Sequence, residues 1–282
     1  MIRQKSFENK RPTLYLVPTP IGNLSEMTPR ALEVLRSVDV IACEDTRNSG
    51  QLLKHFEISK RLIACQNFNE ESSSKGIVKL LEEGNNVALI SDAGYPLIND
   101  PGQRVVMDAS DAGFNVVPVS GCSAFLNALV ASGLVAQPFL FIGFLPSGNT
   151  DRVKKLKEYK DYPMTMVFYE APHRIEKMLK DLLEVFGNRK CTIARELTKM
   201  HEEFIRGTVS ELLQAVPELR GEMVVVVDGC HEDPREKMSE DDILAFVDHC
   251  MEEGMTRSEA IKAAAKETGI AKNKIYDLVH GH

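Results

Sequence analysis

VALISDAGYPLINDPG, residues 87–102, begins with four apolar residues and then breaks into a stretch of glycines, prolines and acids. The apolar run is short and bounded by turn residues, so it predicts a buried strand. Gly94, Pro96, Pro101 and Gly102 fix an irregular backbone after it, and Asp92 and Asp100 set carboxylates beside exposed main-chain N–H groups. A helical pattern follows. Taken alone, the loop fits a ligand site and a plain surface turn equally, so its neighbours have to decide.

On either side the same rhythm repeats. Apolar runs at 14–17, 40–43, 62–65 and 116–119 alternate with amphipathic stretches, the signature of a parallel α/β sheet. Thr28 with Pro29 predicts one helix start, and Ser72 to Ser74 precede an Ile77, Leu80, Leu81 stripe closed by Gly84. From Phe139 a second set of strands follows: FLFIGF, TMVFYE, CTIARE and the MVVVV run that ends at Asp228. A basic helix at 152–160 and a helix at 175–185 lie between them. The fold class is therefore α/β, with an N-terminal domain at 1–137 and a second α/β domain at 138–231. Residues 232–282 form a linker, read over 232–242, and a small helical domain. There Thr256 and Glu259 make a capping box, Gly269 breaks the helix, and Ala265, Gly269 and Ile275 sit at helix-turn-helix spacing.

Bulk properties narrow the classes. At 282 residues and 43% hydrophobic content the chain fills more than one core. A net charge of -7 means that any nucleic-acid contact rests on a local basic patch. The six cysteines are widely spaced without CxxC pairs, as in reduced cytoplasmic proteins. The first residues lack an apolar signal core, and no apolar run approaches the ~20 residues of a membrane span. No histidine, cysteine or acid spacing suggests a metal.

Three turns follow predicted strands: VPTPIGN at 17–23, the 91–102 loop and SGCSA at 120–124. A parallel sheet brings all three to one edge, so one cleft is expected. The first turn lacks GxGxxG, which removes support for a dehydrogenase. EDTR at 44–47, YEAPHR at 169–174 and RELTKMHEE at 195–203 also put polar residues after strands. No GxSxG elbow or Ser-His-Asp set appears, so acyl-transfer hydrolysis has little support.

Taken in order, VPTPIGN, EDTR, SDAGYPLINDPG, SGCSA, YEAPHR and RELTK resemble the ribosomal RNA small subunit methyltransferase I family of the tetrapyrrole methylase superfamily. The resemblance covers roughly residues 12–230 and the C-terminal helical unit. Tyr95 stands where that family usually has threonine, and Ser120 where it usually has proline. It implies a class III methyltransferase fold with the ligand cleft between two α/β domains, S-adenosylmethionine as donor, a homodimer, and 2'-O-methylation of the cytidine at position 1402 of 16S rRNA, in the decoding centre of the small subunit. Donor contacts are then expected at Thr19, Gly22, Asp92, Ala93, Gly94, Tyr95, Ser123, Ala124, Tyr169 and Glu196. Glu44, Asp45 and Lys199 are candidates for the base that takes the ribose proton. Arg47, His173, Arg174, Lys262, Lys266 and Lys272 are candidates for RNA contact, with structural ion pairing as the alternative for the first three and the solvated face of a dimerising helical hairpin as the alternative for the three lysines. Two other functions compete: a methylase of a small tetrapyrrole or a protein residue on the same fold, and a noncatalytic RNA-binding assembly factor.

Overall fold

Val87–Ile90 is the central strand, β4, of a five-stranded sheet. With β1 (Thr13–Val17), β2 (Val40–Cys43), β3 (Arg61–Ala64) and β5 (Asn115–Pro118), it forms the order β3-β2-β4-β1-β5, parallel throughout. All four β4 residues are buried, which explains an apolar run without alternation. The computed structural model describes residues 3–6, 8–66, 70–216, 219–231 and 239–280. The chain divides into two compact units, Met1–Gly229 and Cys230–His282.

The first helix, α1 (Pro29–Ser37), starts as its sequence dictates, with Thr28 Oγ1 accepting the Ala31 N–H at 3.1 Å. The helix α3 (Glu70–Glu82) differs: Ser72 to Ser74 lie inside it, not before it. Ser74 is fully buried, and its hydroxyl donates to Asp108 Oδ2 at 2.7 Å, so a tertiary partner takes up the group that would otherwise favour a cap.

The second sheet has the order β6-β7-β10-β8-β9, built from Phe139–Phe144, Thr165–Glu170, Met223–Val227, Lys190–Arg195 and Glu203–Thr208. Only β6 and β7 run parallel. Strand β9 was hidden within a polar stretch because it is an edge strand, carrying exposed Glu203 and Arg206. Both sheets lie in the first unit.

The basic helix α6 (Asn149–Tyr159) is anchored rather than free. Arg152 is 2% exposed; it pairs with Asp181 on α7 (Ile175–Phe186) and donates to Ser147 O at 3.0 Å. Asn149 Nδ2 also donates to Asp181 Oδ1, at 3.0 Å. Part of the positive charge of the basic helix is thus internal. Replacing Asp181 by alanine leaves a buried guanidinium uncompensated and is expected to destabilise the first unit by about 3–5 kcal/mol. Urea unfolding checks this, through a lower midpoint at unchanged slope.

In the second unit, residues 232–238 lie outside the described residues. Residues 240–242, read as linker, form the first turn of α9 (Glu240–Glu252), where Ser239 and Asp242 make a capping box. Acids in the first turn complement the helix dipole, so a charge run marked a helix start. Helices α10 (Arg257–Thr268) and α11 (Lys272–His280) complete the unit, and Thr256 and Glu259 form the expected capping box. Ile243, Val247, Ala260, Ile261, Ala264 and Ile275 form its core. No helix among the described residues is long and apolar enough to cross a membrane.

Candidate functional site

The turns after β1, β4 and β5 meet. Thr19 and Gly94 exchange backbone hydrogen bonds at 2.9 and 3.0 Å, and the Thr19 hydroxyl donates to Ser91 O at 3.0 Å. Tyr95 Oη accepts the Gly121 N–H at 3.0 Å, tying the 91–102 loop to the 120–124 turn. The tyrosine in place of the family's threonine thus has a structural task. Ser120 contributes through its carbonyl, which accepts from Thr28 Oγ1 at 3.3 Å.

Opposite these turns stand the ends of the second sheet. Between the two lies a cavity of about 400 Å3, lined from the first sheet by Ile21, Asp92 to Tyr95, Ile98 to Asp100, Ser123 and Ala124. Phe144, Tyr169 to Pro172, Glu196, Leu197, Lys199 and Glu222 to Val224 line it from the second. That volume lies in the range of sites for whole small molecules, about 300–1,000 Å3. Asp92, Asp100, Glu196 and Glu222 line it with one cation, Lys199, while the buried Glu170 side chain is paired with Arg174, so the cavity favours a positively charged ligand.

Two of these carboxyls are unusual. Glu170 ends the apolar strand β7 and is 2% exposed. Its Oε1 accepts the Ala171 N–H at 2.9 Å and pairs with Arg174 Nε at 3.1 Å, while its Oε2 is buried with no hydrogen-bond partner. Burial pushes its pKa up. Asp100 is raised from the ordinary 3.8 to about 7, first by burial, then by the neighbouring Glu44 carboxyl and by Asp92. Glu44 therefore biases Asp100 toward its protonated form.

The loop after β8 is held in an uncommon conformation. Glu196 and Thr198 have positive φ, 50° and 68°, and Lys199 Nζ pairs with Glu196 Oε1 at 3.1 Å. Such backbone persists only where the surroundings enforce it. Gly22 and Gly221 make room: a Cβ at Gly22 would lie 2.6 Å from Lys199 Cγ, and one at Gly221 would lie 2.1 Å from Glu196 Oε1. In the same way Gly143, in β6, leaves space for the Asn99 side chain of the facing loop.

The sequence matches the tetrapyrrole (corrin/porphyrin) methylase family over residues 13–213. The chain belongs to this family. Curated relatives named ribosomal RNA small subunit methyltransferase I come close over nearly full length. The one from Bacillus subtilis (strain 168) is 44% identical, over 99% of this chain and 98% of its own. That from Synechocystis sp. (strain ATCC 27184 / PCC 6803 / Kazusa) is 41% identical over 94% and 96%. Among solved structures, uroporphyrin-III-C-methyltransferase from Thermus thermophilus superposes with a TM-score of 0.54 at 21% identity, covering 77% of this chain and 94% of that one. Cobalt precorrin-4 methyltransferase gives 0.54 at 16% identity over the same shares. At such identities the likeness concerns the fold.

As in other tetrapyrrole methylases, the chemistry requires a methyl donor, and the expected donor contacts can now be located. Asp92, Ala93, Gly94, Tyr95, Ser123, Ala124, Tyr169 and Glu196 all line the cavity. Thr19 does not: it is fully buried and its hydroxyl is spent on Ser91, so it braces the loop from behind. Gly22 lies against Lys199 and lines a second, smaller cavity.

Of the proposed bases, Lys199 lines the main cavity, and Glu44 reaches it through Asp100. Asp45 lines neither cavity. It caps helix α2 (Thr46–His55), and hydrogen bonds from Arg47 hold its carboxyl at about 2, too weakly basic to take a hydroxyl proton. Arg47 is thereby paired with Asp45 at 2.8 Å, with an 86% exposed side chain. Arg174 spends its guanidinium on Leu145 O, Pro146 O and Glu170, which makes it a strut beneath the site. His173 is exposed at the start of α7, and Lys262, Lys266 and Lys272 are exposed on the second unit.

Sequence reasoning missed Glu170 and Glu222, and it noted Asp100 in the loop without giving it a role. A charged residue closing an otherwise apolar strand was the available signal for Glu170; none marked Glu222. Among the described residues no group of three or more histidines, cysteines and acids is placed to hold a metal ion.

Proposed function

We propose that this protein is an S-adenosylmethionine-dependent methyltransferase that 2'-O-methylates a cytidine ribose of 16S rRNA, at the decoding-centre position 1402, within the small ribosomal subunit. The observation that carries the donor is the acidic cavity. S-adenosylmethionine is a cation with amine and hydroxyl donors, and both features suit that lining. The acceptor rests on full-length similarity to relatives named for small-subunit rRNA methylation.

Ile21, Ile98, Tyr169 and Leu197 offer apolar surface for the adenosine, while Glu196 and Glu222 offer acceptors for its polar groups. When bound, the donor supplies an electrophilic methyl group on a positively charged sulfur. The chain's task is then to hold the ribose hydroxyl in line with that methyl and to accept its proton. The Glu44–Asp100 pair is the proposed acceptor: a carboxyl near 7 is matched to proton transfer at neutral pH and stays partly ionised there. Lys199, ion-paired to Glu196, keeps the 196–199 loop against the donor. Exposed Lys262, Lys266 and Lys272 offer charge for phosphates.

A homodimer and a cytoplasmic location complete the reading. Helix α5 (Ala124–Ala131) is apolar on its outer side as well, with Leu126 and Val130 exposed, and Val135 and Phe139 are exposed beyond it. These four residues are the proposed dimer contact.

The test is methyl transfer from radiolabelled donor to purified small subunits lacking native modification, with mapping of the labelled nucleotide. Label on a 2' oxygen at the expected cytidine is the predicted result. Label on a base, or only on a tetrapyrrole offered in parallel, would overturn the acceptor assignment.

A further inference from the structure

A second cavity, of about 210 Å3, adjoins the first, and Asp92 lines both. Ile21 faces the larger one while the next residue, Gly22, faces the smaller. Its walls are apolar at Pro20, Leu24 and Leu52, and polar at Asn48, Ser49 and Asp92. Leu24 is 42% exposed, a large apolar side chain left in solvent beside a depression. Ser49 is 3% exposed, and its Oγ interacts with the Cys43 thiol and has no oxygen or nitrogen partner. Asn48 Nδ2 donates to Asp92 Oδ2 at 2.9 Å, which orients an amide whose carbonyl remains available.

The geometry points to this cavity as the seat of the acceptor nucleotide's base, extruded from a single-stranded segment of RNA. The assignment deepens the proposed function and rests on it. The volume is below that of sites for a whole small molecule, so it suits one ring system rather than the donor. Apolar side chains offer faces for stacking, and an oriented amide can read a base edge, the usual means of recognising unpaired RNA. Position supports the same occupant. Asn48 contacts Asp92, which lines both cavities, and Asp100 lines the larger one with it. A base held at Asn48 therefore brings its ribose to the wall between the cavities, beside the carboxyl pair that takes the proton.

Two variants of the full chain test this, Leu52→Trp, which fills the cavity, and Asn48→Ala, which removes the edge contact. S-adenosylhomocysteine affinity by calorimetry is expected to stay within twofold of wild type for both, which also reports that they fold. The KM for small subunits is expected to rise about tenfold or more, as for a lost buried hydrogen bond or a blocked pocket. Unchanged KM and kcat in both variants would overturn the assignment, and so would loss of homocysteine-analogue binding in both, since the cavity would then belong to the donor. Should wild-type protein fail to label subunits at all, the methyl-transfer reading falls separately. Ligand-observed NMR with cytidine 5'-monophosphate then decides the cavity by itself: binding abolished by Leu52→Trp upholds it, and binding that persists in the variant rejects it.

Discussion

Asp100→Asn is expected to lower kcat by about 10²–10⁴-fold, the usual worth of a positioned acid or base, while making the protein more stable at pH 8. Both effects come from one cause. Burial and the Glu44 carboxyl keep a proton on Asp100 up to about pH 7, far above the ordinary 3.8. A folded-state pKa above the unfolded one means that the group's stabilisation is complete below pH 4 and is lost as pH rises through 7. Asparagine carries no charge to bury, so it escapes that loss. The carboxyl is part-exposed, and solvent screening leaves a gain of about 1 kcal/mol, or roughly 2–4 °C in melting temperature at pH 8, with none at pH 4. Wild-type kcat should fall as pH drops through about 7, and this inflection should vanish in the variant. Turnover within threefold of wild type would sink the assignment of the pair as base.

Alanine at Gly221 or at Gly22 should abolish donor binding by at least tenfold, measured by calorimetry with S-adenosylhomocysteine. At Gly221, with φ +82°, a Cβ meets Glu196 at Oε1, Cδ and Cγ, at 2.1, 2.5 and 2.7 Å. The side chain cannot yield at its tip alone, so Glu196 must leave the cavity and release Lys199. At Gly22, with φ +146°, the Cβ meets Lys199 at Cγ and Cε, 2.6 and 2.8 Å away. Each variant also bears the strain of a side chain at positive φ, on the order of 1–2 kcal/mol. Gly84→Ala separates the two effects. It has φ +91° and nothing within 4 Å of its Cβ, so it should lose the same stability and keep full donor affinity. Equal donor binding in all three proteins would refute the crowding argument.

The two largest effects fall on residues of different legibility. Asp100 stood in plain view in the 91–102 loop, yet its importance comes from Glu44, 56 positions earlier, whose proximity depends on β2 pairing with β4. Gly22 and Gly221 are separated by most of the first unit, and their shared purpose, clearing space for the 196–199 loop, exists only once the sheets face each other. Edge strand β9 and the helix start at Ser239 escaped notice because charged residues mask the patterns of exposed elements.

Local chemistry was sufficient for the rest. Continuous apolar runs between turn residues dictated buried parallel strands, Thr28 with Pro29 and Thr256 with Glu259 dictated helix starts, and the ordered turns after strands dictated that ligand-binding groups gather at one sheet edge. These follow from interactions within a few residues and from a topology that short connections enforce. Tertiary structure alone decided that Arg152 and Arg174 serve as struts and that Glu170 keeps an unpartnered oxygen. It also decided that Asp45 is tied down while Glu44 is coupled to Asp100. Charge state and availability depend on burial and on partners distant in sequence, so no local pattern could have carried them.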